Sequence, residues 1–405
     1  MSILRDITKE IEKYIKKDEI LLLIGARQSG KTTILHQLKD IIEMQNDRQY
    51  FINLEDPDYL SLLKQSPKNL FKLFSIDLNK KNFVLIDEIQ YLENPSNFLK
   101  YFYDEYKGRI KIIASGSSAF YIDKKFKDSL AGRKKIFYVL TLSFREFLRF
   151  KNETELSGKS FDHLSISEKG KIVLYYQEYM VYGGYPKAVF APIEEKEEVL
   201  SDIAYSYIKK DIYDANIHND EIFYKLFKLL SYRTGNLVNT NEISSSLGVS
   251  RTSINNYLYI MQKSFHIHLL KPFSKNIKKE LVKMPKVYFL DSGLRNFFAK
   301  DFKTYFERND KGSLLENGVY RELLNYYDFE DIRFWRSAQG SEIDFIVNEN
   351  KAIEVKVNPK DFNPKRFKDV LENYTDLKFS VASFDSKIDK TGEYNVYNLW
   401  ELNNI

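Results

Sequence analysis

The sequence predicts an α/β chain: two sheet-containing regions separated by helices. Three observations carry this. Near-continuous apolar runs alternate with helical patterns over residues 1–145, as parallel strands covered on both faces require. A G-x-x-x-x-G-K-S/T stretch, Gly25 to Thr32, sits between the first of those runs and a helical pattern. Toward the other end, GSEIDFIVNENKAIEVKV, Gly340 to Val357, alternates apolar and charged residues at the strand period.

Taken in order, EILLLIGA reads as a buried strand and KTTILHQLKDIIEM as the helix after it. YFINLED, NFVLIDEI and IKIIASGSS read as further strands of the same sheet. From about 144 to 235 the pattern is helical, with SFREFLRF at its start, then GKIVLYYQEYMVYGG, EEVLSDIAYSYIKKDIYDAN and DEIFYKLFKLLSYRTG. From 236 to 285, two short helical segments flank Leu247-Gly248-Val249-Ser250 and lead into apolar strands. From 286 to 405, strands and helices mix again.

Composition removes several function classes. The 405 residues hold no cysteine, which excludes disulfides, thiolate metal sites and a cysteine nucleophile. The N-terminal MSILRDITKEIEKYIKKDEI is charged throughout and has no signal-peptide core. Apolar runs such as Ile20 to Ile24 are too short to span a bilayer, so the expectation is a cytoplasmic protein with no membrane contact. A net charge of +5 over this length decides little by itself. KPFSKNIKKELVKMPK, Lys271 to Lys286, concentrates six lysines against one glutamate and suits phosphate contact; a solvated lysine-rich face gives the same pattern.

The glycine-rich stretch points to nucleotide chemistry. Gly25, Ala26, Gln28, Ser29 and Gly30 would curl the backbone so that its N–H groups, with those of Lys31, Thr32 and Thr33 at the helix start, face phosphate oxygens. Lys31 would reach the β- and γ-phosphates of ATP, and Thr32 would offer its hydroxyl to Mg²⁺. In FVLIDEIQ, Asp87 and Glu88 end an apolar strand. Asp87 would hold Mg²⁺ through water and Glu88 would orient and deprotonate the attacking water, which suits hydrolysis. Ser115 or Ser117 would sense the γ-phosphate from a neighbouring strand, or merely end it. Arg133 is a candidate for γ-phosphate contact, in cis or across subunits of a homo-oligomer.

NTNEISSSLGVSRTSINNYLYIMQ reads as a helix-turn-helix. Asn239 or Thr240 caps the first helix, Gly248 makes the turn and Ser250 caps the second. Arg251, Thr252, Asn255 and Asn256 would line its exposed face, where DNA contact is expected, and the lysine patch follows where a wing would lie. Such modules also serve as protein contacts or rigid connectors, so protein partners stay open.

In the alternating stretch, Asp344, Glu354 and Lys356 fall on one face if the two runs pair as a hairpin. Two carboxylates there suit Mg²⁺ or Mn²⁺, with the lysine positioning a water. The pattern resembles the PD-(D/E)xK nuclease core, which implies a further acid on a preceding helix; GSLLENGVYRELL offers Glu316. No proline precedes Asp344, and a solvated hairpin face with Glu opposite Lys produces the same alternation.

GARQSGKTT, LIDEIQ, ASGSSA, LAGRKKIFYVLTLSFREFL and YGGYPKAV, in this order, resemble the prokaryotic AAA-type ATPases that carry a DUF4143 C-terminal region, relatives of the archaeal ATPase group. KVYFLDSGLRNFF and RFWRSAQGSEIDFIV resemble that C-terminal region. The resemblance implies a P-loop AAA-type ATPase core over 1–145, a helical lid over 146–235, a winged helix over 236–285 and a restriction-endonuclease-like α/β domain over 286–405. The expectation is an ATP-hydrolysing protein that binds DNA through a winged helix and a nuclease-like domain and acts as an ATP-regulated, metal-dependent DNA nuclease. The alternative is a nucleotide-dependent switch for protein partners with an inactive nuclease-like domain.

Overall fold

The computed structural model describes residues 3–117, 130–215, 217, 219–273, 284–337, 340–367, 370, 374, 376–387, 390–391 and 394–405. The chain divides into two compact units, Met1–Thr141 with Lys263–Phe265, and Leu142–Gln262 with His266–Ile405.

The first unit is built on β1 (Ile20–Ile24), β2 (Arg48–Asn53), β3 (Asn82–Asp87), β4 (Ile110–Gly116) and β5 (Lys134–Tyr138). These described strands pair in parallel in the order β2-β3-β4-β1-β5. Every residue of β1, β3 and β4 is buried, which explains why these runs show no alternation. Helices Asp6–Ile15 and Lys31–Met44 cover the sheet with Ile11, Ile15, Ile34, Leu35, Leu38 and Ile42 at helical spacing. Fully burying each such side chain contributes about 1.5–3 kcal/mol. Because β4 separates β1 from β3, the loop after β1 and the acids ending β3 emerge at the same carboxyl edge, one strand apart.

The second unit begins with helices, among them Phe144–Phe150, Ile166–Tyr182 and Asp220–Tyr232. Ser143 and Ser165 each open a helix with a reciprocal capping box, to Glu146 and Glu168. The YGG and LDSG stretches interlock. Gly184 N–H donates to Asp291 Oδ2 at 2.8 Å, and a Cβ at Gly183 would lie 2.1 Å from Asp291 Oδ1. Gly293 abuts the Tyr182 carbonyl, where a Cβ would be 2.1 Å from the oxygen.

Helices Thr240–Leu247 and Arg251–Lys263 follow, joined through Gly248 in the left-handed region, φ 68°. Asn239 caps the first by accepting from the N–H groups of Asn241 and Glu242. Next, β6 (Ile267–Leu270) pairs antiparallel with β7 (Lys286–Phe289), and Leu237 bridges Lys286. Helix Lys311–Leu323 then leads to β8 (Ile332–Arg336), β9 (Glu342–Val347), β10 (Lys351–Val355), β11 (Lys378–Ser383), β12 (Lys390–Thr391) and β13 (Tyr394–Asn398). These described strands form a mixed sheet ordered β12-β13-β11-β10-β9-β8. The hairpin β9–β10 turns through Asn348 and Glu349, both at positive φ. No helix among the described residues is long and apolar enough to cross a membrane.

Candidate functional site

In the first unit, Gly25 leaves β1 so close to the Val139 carbonyl that a Cβ would sit 2.0 Å from its oxygen. Gln28 and Gly30 adopt positive φ, 61° and 99°, and Gly30 is the N-cap of helix Lys31–Met44. The loop thus curls and aims the helix start at its own concavity, where the first N–H groups of a helix have no intrahelical partners. Ser29 Oγ is fully buried and meets no hydrogen-bond partner among the described residues. The buried Lys31 ammonium donates to the carbonyls of Gly25 at 3.0 Å and Ala26 at 2.8 Å. Thr32 and Thr33 are exposed on the first helical turn.

Thr32 Oγ1 donates to Asp87 Oδ2 at 2.6 Å, so the loop and the end of β3 meet. The other oxygen of Asp87 accepts from Ser115 Oγ, and that hydroxyl accepts from Glu88 N–H at 3.2 Å. Ser115 therefore faces the acid pair. Glu88 is left-handed, φ 58° and ψ 48°, a conformation that costs a non-glycine residue and that clusters at functional sites. Its carboxylate accepts from Gln90 Nε2, which also donates to Ser117 Oγ at 2.9 Å. The donor set fits a magnesium–nucleotide: a hydroxyl and a carboxylate in contact, an ammonium over curled carbonyls, and a buried orphan hydroxyl.

Arg133 does not join this group. It precedes β5 at the amino edge of the sheet, where its carbonyl accepts from Ile20 N–H at 2.8 Å and its guanidinium meets Asp104 at 2.8 Å. The glycine-rich loop lies at the carboxyl edge, about 16 Å away along five residues of strand at ~3.3 Å each. The cis contact expected of Arg133 is therefore corrected by strand direction. Arg5 takes a place no motif signalled. Its guanidinium, 5% exposed, donates to the carbonyls of Ser29 at 2.7 Å and Leu140 at 3.0 Å.

In the second unit two of the expected acids, Asp344 and Glu354, meet directly. Asp344 lies opposite Glu354 just beyond the last β9–β10 ladder pair, Phe345 with Ile353. Side chains replace the ladder there: Glu354 Oε1 accepts from Asp344 N–H at 3.2 Å and Asp344 Oδ2 from Val355 N–H at 2.8 Å. Lys356 Nζ meets Glu354 Oε2 at 2.5 Å. Glu316, on helix Lys311–Leu323, accepts from the Tyr288 hydroxyl and from Lys286 Nζ at 3.0 Å.

Two members of the cluster went unrecognised in the sequence. In the sequence Lys286 ends the lysine patch, which suits a solvated or phosphate-binding residue. Its side chain is 2% exposed, and its ammonium lies 2.6 Å from Glu342 and 3.7 Å from Asp344 besides Glu316. Glu342 shares the face of Asp344, two residues on, and also meets Arg336 at 3.0 Å. Of the rest of that patch, residues 274–283 lie outside the described residues, and Lys271 is exposed.

Electrostatics follow from burial. Burial and the neighbouring Asp344 push the Glu316 carboxyl up to about 7 and the Glu354 carboxyl up to about 8. Burial would lower Lys286, but Glu316, Asp344 and Glu342 override it and hold the ammonium well above the usual lysine range. Among the described residues, no three acidic or histidine side chains converge as a metal-ligand group. The expectation of a metal on Glu316, Asp344 and Glu354 thus meets the Lys286 ammonium against Glu316 and Asp344 and the Lys356 ammonium against Glu354, and the donor set does not fit a divalent ion.

Comparison with known proteins divides the chain in three. Residues 17–148 match the family model described as AAA domain, residues 174–305 a domain of unknown function, DUF8612, and residues 311–401 another, DUF4143. KVYFLDSGLRNFF, expected with DUF4143, falls inside the DUF8612 match. An uncharacterized protein of Methanocaldococcus jannaschii is 29% identical over 86% of this chain and 76% of its own. One of Haemophilus influenzae is 28% identical over 86% of this chain and 83% of its own. Among solved structures, the Aeropyrum pernix ORC1 protein in complex with DNA aligns over 74% of this chain and 94% of its own, with 10% identity and a TM-score of 0.33. AMPPCP-bound DnaA from Aquifex aeolicus aligns over 64% and 89%, with 15% identity and a TM-score of 0.32.

Proposed function

We propose that the chain hydrolyses ATP in its first unit and that nucleotide state governs engagement of DNA by its helix-turn-helix segment. The observation that carries the ATPase reading is the meeting of Thr32 Oγ1 with Asp87 at 2.6 Å beside a left-handed Glu88. Thr32 and Asp87 would hold Mg²⁺, which when bound offsets phosphate charge. Lys31 exchanges the Gly25 and Ala26 carbonyls for β- and γ-phosphate oxygens. The loop N–H groups orient the phosphates. Glu88 orients the attacking water and accepts its proton, held in place by Gln90 and by Ser115. Arg133 acts on the nucleotide of a neighbouring copy in a homo-oligomer.

DNA engagement is supported by the exposed face of helix Arg251–Lys263, where Arg251, Thr252, Asn255, Asn256 and Tyr259 face solvent while Ile254, Tyr257, Leu258 and Met261 are buried. Three helices followed by the antiparallel pair β6–β7 have the element order of a winged helix. The test is fluorescence anisotropy of labelled duplex over a salt series, with ADP and with a non-hydrolysable ATP analogue. The reading predicts salt-dependent binding that differs between nucleotides and weakens at least about tenfold in Arg251→Ala/Asn255→Ala. Absent binding at low salt, with ATP hydrolysis intact, refutes the DNA reading and leaves protein partners.

A further inference from the structure

The carboxylate cluster of the second unit is shaped around an ammonium. Lys286 Nζ sits 2.6 Å from Glu342, 3.0 Å from Glu316 and 3.7 Å from Asp344. The two close contacts are hydrogen-bond lengths, whereas Mg²⁺ draws its oxygens to about 2.0–2.1 Å in an octahedron. The remaining oxygens are committed elsewhere: Asp344 Oδ2 to Val355 N–H, both of Glu354 to Asp344 N–H and Lys356, and Glu342 Oε2 to Arg336. Glu316 Oε2 packs on Gly235, where a Cβ would lie 2.9 Å away.

The lysine is fixed by backbone as well. Lys286 pairs with Leu270 on one side and bridges Leu237 on the other. Gly235 N–H donates to the Val287 carbonyl and Val238 N–H to that of Pro285, each at 2.8 Å. Tyr288, two residues on and on the same face of β7, places its hydroxyl on Glu316. The backbone that carries the ammonium is therefore held on both sides of β7.

We propose that Lys286 is the resident cation of this cluster and closes it to divalent metal, so that the C-terminal sheet is a non-cleaving module. The claim goes beyond the ATPase and DNA readings and depends on neither. It predicts that a metal site lies latent beneath a single charge.

The test is a Mn²⁺ titration of the full chain without nucleotide, following the electron paramagnetic resonance of free Mn²⁺. Wild type and Asp344→Asn are expected to give superimposable isotherms. Lys286→Met, which keeps the length and apolar stem of lysine, is expected to gain a site at least about tenfold tighter than any in wild type. Lys286→Met/Asp344→Asn is expected to lose that site again. A wild-type site that disappears in Asp344→Asn overturns the proposal, and so does a folded Lys286→Met with no gain. If Lys286→Met does not fold, the comparison of wild type with Asp344→Asn decides alone.

Discussion

Gly25 has no room for a side chain: a Cβ would lie 2.0 Å from the Val139 carbonyl oxygen, a backbone atom that cannot rotate away. Gly25→Ala is expected to displace the loop and weaken nucleotide binding at least about tenfold in an isothermal titration, a cost of ~1.4 kcal/mol or more. Glu322 carries a pH prediction. Burial pushes this carboxyl up to about 7, against the opposing Arg321, while it accepts from Tyr176 at 3.1 Å and Asn325 at 2.9 Å. The folded chain holds this proton more tightly than the unfolded chain. Its contribution to stability is full below pH ~4.5 and is lost as pH rises through about 7. Glu322→Gln is neutral at every pH. It is expected to exceed wild type at pH 8 by up to ~3 kcal/mol, less the Asn325 bond, with the difference closing at pH 5. Thermal denaturation at both pH values measures this; an equal difference at the two contradicts it.

At the scale of elements, the YGG turn and the LDSG helix start act as one joint. Asp291 caps helix Ser292–Ala299 through Leu294 N–H and also accepts from Gly184 N–H. Gly183→Ala would force a Cβ against that carboxylate at φ 75° and is expected to cost at least about 2 kcal/mol, read as a lowered Tm. The parallel strands were legible because burial on both faces erases alternation, and the hairpin was legible because apolar and charged side chains alternate along it, although Glu354 on its charged face is itself buried. The partner of that hairpin was not. Lys286 and Tyr288 alternate with Val287 and Phe289, which marks one polar face of β7, but periodicity does not say that the face is buried against acids. Its position at the end of a lysine-rich run pointed to solvent instead. Arg133 was misplaced for a related reason: a motif gives residue order, while strand direction decides which edge of the sheet the residue reaches.

For the whole molecule, a net charge of +5 predicts no strong nonspecific attraction, so the salt slope of DNA binding reports the few lysines and arginines that touch phosphates. Each phosphate contact contributes about −0.9 to the slope of log K against log salt. Arg133→Ala is expected to leave nucleotide affinity within about twofold of wild type, since Arg133 lies a strand length from its own loop. Any loss of turnover in that variant should depend on protein concentration, as a contact between copies would.

As proposed, the loop after β1 and the acids ending β3 form a hydrolytic site. The most direct measurement is nucleotide binding and steady-state phosphate release for wild type, Lys31→Ala and Glu88→Gln. The account predicts that Lys31→Ala loses both and that Glu88→Gln binds ATP within a few-fold of wild type while turnover falls by about 10²–10⁴. Turnover that persists in Glu88→Gln, or that survives in Lys31→Ala, would contradict it.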